Sequence, residues 1–352
     1  MNKSNKSFVR ILGMSILLGL SGSSFAELID HGKASGAASL NWSSEDVNSL
    51  LNEDMLANDL DDEPSPQGSI TVTTSIRSAA DPAQLTTSPK TVQIFDTSRQ
   101  GTQPSVTARA ALVMDANTGE VLYSKNSNTA LPIASITKLM TAVVIADARL
   151  NMDETITLQS IDFAGAGGKN SSSTLRVGDK LNRAEALLFA LMKSENPAAA
   201  ALARTFPGGR SAFIAKMNAK AQALGMNSTK FVESTGLHPA NVASARDLGI
   251  LVNASSQYGL IRQFSTTPSY DFNLGYRVLK SNNTNALVRN GGWNINISKT
   301  GFINEAGRCV VMHTTLNNRP VAVVLLGSST SQARSNDAIR LMNWSMNLPK
   351  SL

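Results

Sequence analysis

The sequence predicts an α+β domain, an antiparallel sheet flanked by helices with an all-helical subdomain inserted between its first and last strands. Three observations carry that expectation. Two short apolar runs on either side of Asn-Thr-Gly begin at Ala110. The middle of the chain is a succession of segments with apolar residues at helical spacing. After Trp293 the pattern changes to short β-branched runs, and one more helical pattern follows.

"AALVMDANTGEVLYS" is apolar, then turn, then apolar, which reads as a hairpin. A helix is expected from about Ser135 to Arg149. "LNRAEALLFALMKS" predicts a second helix, broken at Pro197, where a ring replaces the backbone N–H. "PAAAALARTF" continues as a third. "SAFIAKMNAKAQALG" is amphipathic and places Gly225 at the C-cap position, and "SARDLGILVNASSQ" is a further helix. "WNINISKTG", "RCVVMHTTL" and "VAVVLLG" read as strands, the last two joined by "NNRP", and a final helix runs from Ser331 to about Asn347. Residues 107–348 thus form one domain of roughly 240 residues, a usual size.

Two segments precede it. Residues 1–26 carry Lys3, Lys6 and Arg10, an apolar run from Ile11 to Leu20, and small residues at Ser24 and Ala26. That is the layout of a secretory signal peptide, and the run is shorter than the ~20 residues that span a bilayer. No cysteine near the cut offers a lipid attachment point, and no later stretch is apolar enough for a membrane helix. Residues 27–106 are polar, Pro-punctuated and aperiodic, the composition of a flexible tail or linker. Residues 27–64 hold ten acids against Lys33 alone, so the net +6 of the whole chain leaves the rest of the mature protein clearly basic. A basic face suits an anionic partner or surface. Nucleic acid is not expected, because no basic run is interleaved with aromatics. Cys309 is the only cysteine, which excludes an intrachain disulfide and leaves it as a small buried strand residue.

The chemistry is concentrated in three places. "LPIASITKLMTA" sets Ser135 three residues before Lys138, so on a helix the two side chains share a face. Near a helix N-terminus the free N–H groups favour a developing oxyanion. An ordinary N-cap serine and a solvated lysine would give the same spacing. "KSENPAAA" adds Ser194 and Asn196 at a break between helices, and "ISKTGF" adds Lys299, Thr300 and Gly301 at the end of a strand. Ser-x-x-Lys, Ser-x-Asn and Lys-Thr-Gly in that order are the motif set of penicillin-binding proteins and class A β-lactamases.

The likeness extends past the motifs. "LPIASITKLMTAVVIADARL", "ALMKSENPAAA", "GLHPANVASARDL" and "NISKTGFINEAGRCVVM" resemble the D-alanyl-D-alanine endopeptidases among the low-molecular-mass penicillin-binding proteins of Gram-negative envelopes, from about Ala110 to Trp344. The acidic tail has no part in the resemblance. Many such relatives carry a second β-rich domain and an amphipathic anchor. This chain ends eight residues after Trp344, so the expectation is a soluble periplasmic enzyme.

The resemblance implies a serine DD-peptidase with no cofactor and no metal, acting on peptidoglycan peptide stems and acylated by β-lactam antibiotics. It assigns Ser135 as nucleophile and Lys138 as its base. A lysine serves as a base only when neutral, and burial and the facing cation Lys299 would both lower its pKa. Ser194 relays the proton to the leaving amine and Asn196 holds the substrate amide. Lys299 and Thr300 bind the substrate carboxylate, and Gly301 makes room for its backbone. The N–H groups of Ser135 and Phe302 form the oxyanion hole, and Arg334 lies near the carboxylate. Cross-link endopeptidase is the leading activity. Terminal D-Ala carboxypeptidase shares every motif. A β-lactamase would need a water-positioning glutamate, for which Glu233 in "FVESTGL" is the candidate. An idle wall-binding protein is the remaining reading. Among the histidines, His238 is a candidate for the cleft rim, and no spacing supports a Ser-His-Asp triad.

Overall fold

The computed structural model describes residues 103–165 and 173–349. The expected signal peptide, and the expected tail up to residue 102, lie outside the described residues.

The first hairpin forms as expected, from β1 (Ala110–Asp115) and β2 (Val121–Lys125). A two-residue strand β3 (Leu131–Pro132) leads through a 3₁₀ turn at Ala134–Ile136 into α1 (Thr137–Ala148). Every residue of α1 from Thr137 to Ala146 is buried, so this helix has no solvent face and lies at the centre of the core. The short elements β4 (Thr155–Thr157), α2 (Ser160–Phe163) and β5 (Lys180–Asn182) follow.

The predicted second helix departs from its periodicity at both ends. It starts at Arg183, as α3 (Arg183–Leu188), because Asn182 caps it. The Asn182 side chain accepts from Glu185 N at 2.7 Å and the Glu185 carboxylate accepts from Asn182 N at 2.9 Å, a reciprocal capping box. It then widens into a π turn (Phe189–Lys193) that ends at Ser194 in the left-handed conformation. The break is at Ser194 and Glu195 rather than at Pro197. Pro197 lies in the first turn of α4 (Asn196–Arg204), where the missing N–H costs no intrahelical bond.

Helix α5 (Gly209–Ala223) begins two residues ahead of its amphipathic pattern, and Gly225 follows its end at φ +75°. Strand β6 (Val242–Ala243) pairs with β3, and α6 (Ala245–Ser255) is capped by Ser244. Not anticipated are α7 (Gly259–Thr266), the hairpin β7 (Ser269–Asn273) with β8 (Val278–Asn282), and the short α8 (Ala286–Asn290). The three predicted strands appear as β9 (Ile295–Ile303), β10 (Gly307–Leu316) and β11 (Arg319–Ser328), and α9 (Ser331–Met346) is the last helix.

The main sheet has five strands in the order β2-β1-β11-β10-β9, every neighbouring pair antiparallel. Sequential residues of β10 face opposite layers. Cys309 and Val311 join the core that contains α1, whereas Val310 and Met312 pack with Leu341 and Met342 of α9. Helices α1 to α7 lie on the α1 side, whereas Leu287 of α8 packs with the α9 side, and β9 is left as an outer strand bearing directly on the turn before α1.

Candidate active site

Ser135 is not a helix cap. It sits inside the 3₁₀ turn, and Ile136 precedes α1 without a side-chain cap. The residue before it, Ala134, has φ +49°, a conformation costing a non-glycine residue on the order of 1 kcal/mol or more. Two glycines hold the turn there. A Cβ on Gly301 of β9 would lie 2.9 Å from Ser135 N, and one on Gly236 would lie 1.9 Å from the Ala134 carbonyl oxygen. Both approaches require the bare backbone of glycine. Ser135 is left half-buried at the surface of the cleft.

One turn along, Lys138 is wholly buried. Its Nζ donates to Ser135 Oγ at 3.0 Å, Asn196 Oδ1 at 2.6 Å and Thr235 O at 2.6 Å. Three acceptors satisfy an ammonium's three protons, yet burial still disfavours the charge. Burial carries its pKa down to about 7, and the Glu233 and Glu195 carboxylates limit the fall. Thr235 O is in place because Glu233 organises the loop around it. The Glu233 carboxylate accepts from Thr235 N, Thr235 Oγ1, Gly236 N and Asn241 Nδ2 at 2.5–2.9 Å. The lactamase-type candidate is thus a loop-forming residue whose oxygens are taken up by its own segment.

The third motif closes the site from the other side. Lys299 of β9 is 1% exposed and donates from Nζ to Ser194 Oγ at 2.8 Å and Thr300 O at 2.8 Å. Burial lowers its pKa first, and the charges of Lys138 and Arg334 lower it further. For Lys138, too, burial is the main cause of the fall. Ser194 holds φ +66°, so both serines of the site sit on or beside strained backbone. The turn at Ser194 is fixed by Thr284 N, which donates to Met192 O at 3.0 Å, and by Phe272 of β7 stacked on Phe189.

Three more expected residues fall around β9. Thr300 Oγ1 donates to Thr284 Oγ1 at 2.7 Å. Phe302 is 44% exposed with the Arg308 guanidinium 3.7 Å from its ring centre. Arg334, in the first turn of α9, is 7% exposed and donates to Cys309 O at 3.5 Å, opposite Gly301 across the β9–β10 pair. It is thus held in the interior next to Lys299. His238 turns inward on its own loop, its Nδ1 accepting from Ala240 N at 3.0 Å. Cys309 is buried in β10, and burial raises its thiol to about 11. Gly236, Thr235 and Glu195 have no part in the sequence motifs, and only the long-range contacts of the fold reveal them.

The arrangement supplies a hydroxyl beside a buried amine that is substantially neutral near pH 7, and a second amine–hydroxyl pair facing it. That is the equipment of an activated serine nucleophile with a proton relay.

Known proteins agree with this chemistry. The family model described as D-alanyl-D-alanine carboxypeptidase matches residues 97–330. The chain is 48% identical over 249 residues to a D-alanyl-D-alanine endopeptidase of Pseudomonas aeruginosa, covering 69% of this chain and 78% of that one. It is 47% identical over 245 residues to the protein of that name from Escherichia coli, with the same coverage. The crystal structure of a Streptomyces DD-transpeptidase is similar with a TM-score of 0.64 at 31% identity, covering 70% of this chain and all of that one.

Proposed function

The chain belongs to the D-alanyl-D-alanine carboxypeptidase family of serine DD-peptidases, and we propose that it is a periplasmic endopeptidase that hydrolyses the D-alanyl bond of peptidoglycan cross-links. The observation that carries the reading is the wholly buried Lys138 amine 3.0 Å from Ser135 Oγ. The endopeptidase names of the relatives at 48% and 47% identity favour cross-links over free termini.

In this reading neutral Lys138 takes the Ser135 proton as Oγ adds to the D-alanyl carbonyl carbon. The N–H groups of Ser135 and Phe302 stabilise the resulting oxyanion, each such donor being worth about 3 kcal/mol of barrier. Collapse breaks the C–N bond, and the proton held by Lys138 is relayed through Ser194 to the departing amine, which leaves Lys138 neutral. Lys299, Thr300 and Arg334 hold the carboxylate on the leaving side. A substrate carboxylate also offsets the mutual repulsion of Lys299 and Arg334, which raises the Lys299 pKa and secures its charge while substrate is bound. Water then attacks the acyl-serine ester, giving its proton to Lys138, which passes it to Ser135 Oγ as the ester C–O bond breaks. A β-lactam acylates the same oxygen.

Export through the signal peptide at 1–26 would place the domain beside its substrate. Among the described residues no helix is long and apolar enough to cross a membrane. A terminal D-Ala carboxypeptidase is the second reading, favoured by the description of the matching family. Digestion of purified cross-linked and uncross-linked muropeptides separates the two. Release of monomers from dimers supports the endopeptidase. Loss of terminal D-alanine with dimers left intact overturns it.

A further inference from the structure

Between the two reactive serine turns lies a carboxylate to which no motif gives a task. Glu195 separates Ser194 from Asn196 and is 5% exposed. Its oxygens accept from Ser173 Oγ at 2.5 Å, Thr174 Oγ1 at 2.6 Å and Thr174 N at 3.2 Å. The segment it grips is itself anchored. Arg277, at the tip of the β7–β8 hairpin, donates to Thr174 O at 3.0 Å and to Asp179 at 2.8 Å, and Tyr276 donates to Asp179 at 2.5 Å. A continuous set of hydrogen bonds therefore runs from the hairpin through 173–179 to the residue beside Asn196, whose Oδ1 is 2.6 Å from the Lys138 amine.

We propose that Glu195 is a positioning residue for acylation: its carboxylate fastens the turn carrying Ser194 and Asn196 to the 173–179 segment, and its buried negative charge acts on the Lys138 amine alongside that of Glu233. The proposal rests on the reading of Ser135 as nucleophile and Lys138 as base, and is independent of which peptide bond is cut.

Purely structural anchoring would call for hydrogen-bond partners but not for charge, and an amide would supply part of them, one accepting oxygen and an NH2 group. A buried carboxylate costs more to desolvate than an amide, so the charge needs a use. The charged groups bearing on the Lys138–Lys299 pair are Glu233 on the loop around Thr235, Glu195 on the turn before α4, and Arg334 on α9. Glu233 is the larger of the two anionic influences on the amine, whereas Glu195 is the one on the same turn as the residue that touches it. The sign is definite. A nearby anion favours the protonated amine, so removing it lowers the Lys138 pKa and makes the base available at lower pH.

The test measures the second-order rate of fluorescent-penicillin labelling of the full-length protein from pH 5 to 9, for wild type, Glu195→Gln and Glu195→Ala. Glu195→Gln keeps the size and part of the hydrogen bonding. Its acid limb is expected to move down by about half a pH unit or more, which is roughly threefold in rate well below the midpoint. Glu195→Ala should move the limb likewise and also lose about tenfold or more at the plateau, because the turn is released. An unmoved midpoint in Glu195→Gln, with or without a lower melting temperature, overturns the proposal and leaves Glu195 as a structural anchor. Ser135→Ala, run alongside, keeps the two levels apart. Labelling that survives there sinks the catalytic reading itself, whereas an inert Ser135→Ala with an unmoved Glu195→Gln limb sinks the role of Glu195 alone.

Discussion

Helix α1 and strand β9 each bring one lysine to the same cleft, and they treat it differently. Both amines are buried, Lys138 at 0% and Lys299 at 1% exposure. Lys138 has three oxygen acceptors and two carboxylates acting on it, Glu233 and Glu195. Lys299 has two acceptors and two cations acting on it, Lys138 and Arg334. Burial lowers both, but neighbouring anions arrest the first near neutrality, while neighbouring cations drive the second further down. The lesson is that equally buried amines differ in their next shell of charge, which is anionic around the helix lysine and cationic around the strand lysine.

Removing the hydroxyl beside the helix lysine has the largest expected effect. Ser135→Ala should reduce covalent penicillin labelling to background while the melting temperature holds, and persistent labelling would show that another residue is acylated. Next comes the helix lysine. Lys138→Ala should slow acylation by about 10²–10⁴-fold at neutral pH, the usual yield of a positioned general base. In the wild type the labelling rate should rise with pH through a midpoint of about 7, as the amine loses its proton. A profile flat between pH 6 and 8 would remove lysine from that role.

The strand lysine should answer to the substrate's charge. Lys299→Ala is expected to cost about 10–100-fold in kcat/KM for a peptide with a free terminal carboxylate, the worth of a charged hydrogen bond. The same peptide with an amidated terminus should lose far less. Equal losses on both would mean that Lys299 acts on Ser194 alone. The smallest effect is on stability. A lysine whose pKa falls from 10.5 to about 7 on folding binds fewer protons in the folded state, so its penalty is complete below pH 7 and shrinks as pH rises towards 10.5. Lys138→Met should therefore gain stability relative to wild type at pH 6 and give it back by roughly 1.4 kcal/mol per unit above pH 7. Denaturant unfolding at pH 6 and 9 measures this, and a pH-independent difference would contradict a neutralised amine.

The sequence made one half of this comparison easier to see than the other. Ser135 with Lys138, and Lys299 with Thr300 and Gly301, were legible because each lies within four residues along the chain and the chemistry dictates the spacing. The sheet and its closing helix were legible from β-branched runs and a clear change of period. What escaped depends on residues far apart in sequence. Gly236 bears on Ala134 across a hundred residues, and Glu233 shapes the loop whose Thr235 carbonyl reaches Lys138. Glu233 drew notice only as a water-positioning candidate, and nothing local marks either residue's part in shaping the site. The π turn before Ser194 is hidden because Leu187, Leu188, Phe189, Leu191 and Met192 suit either winding. The β7–β8 hairpin did leave a trace, the alternation of Tyr270, Phe272 and Leu274 ahead of Gly275.

Among the described residues, strand β9 pairs with β10 on one side only. An open sheet edge is ordinarily a hazard, inviting another chain to join it. In the proposed function that edge would receive the substrate, as a short extended peptide that adds itself as a temporary sixth strand. Recognition of this kind grips the guest by its main chain, so it tolerates a variety of side chains while demanding that the peptide arrive straight.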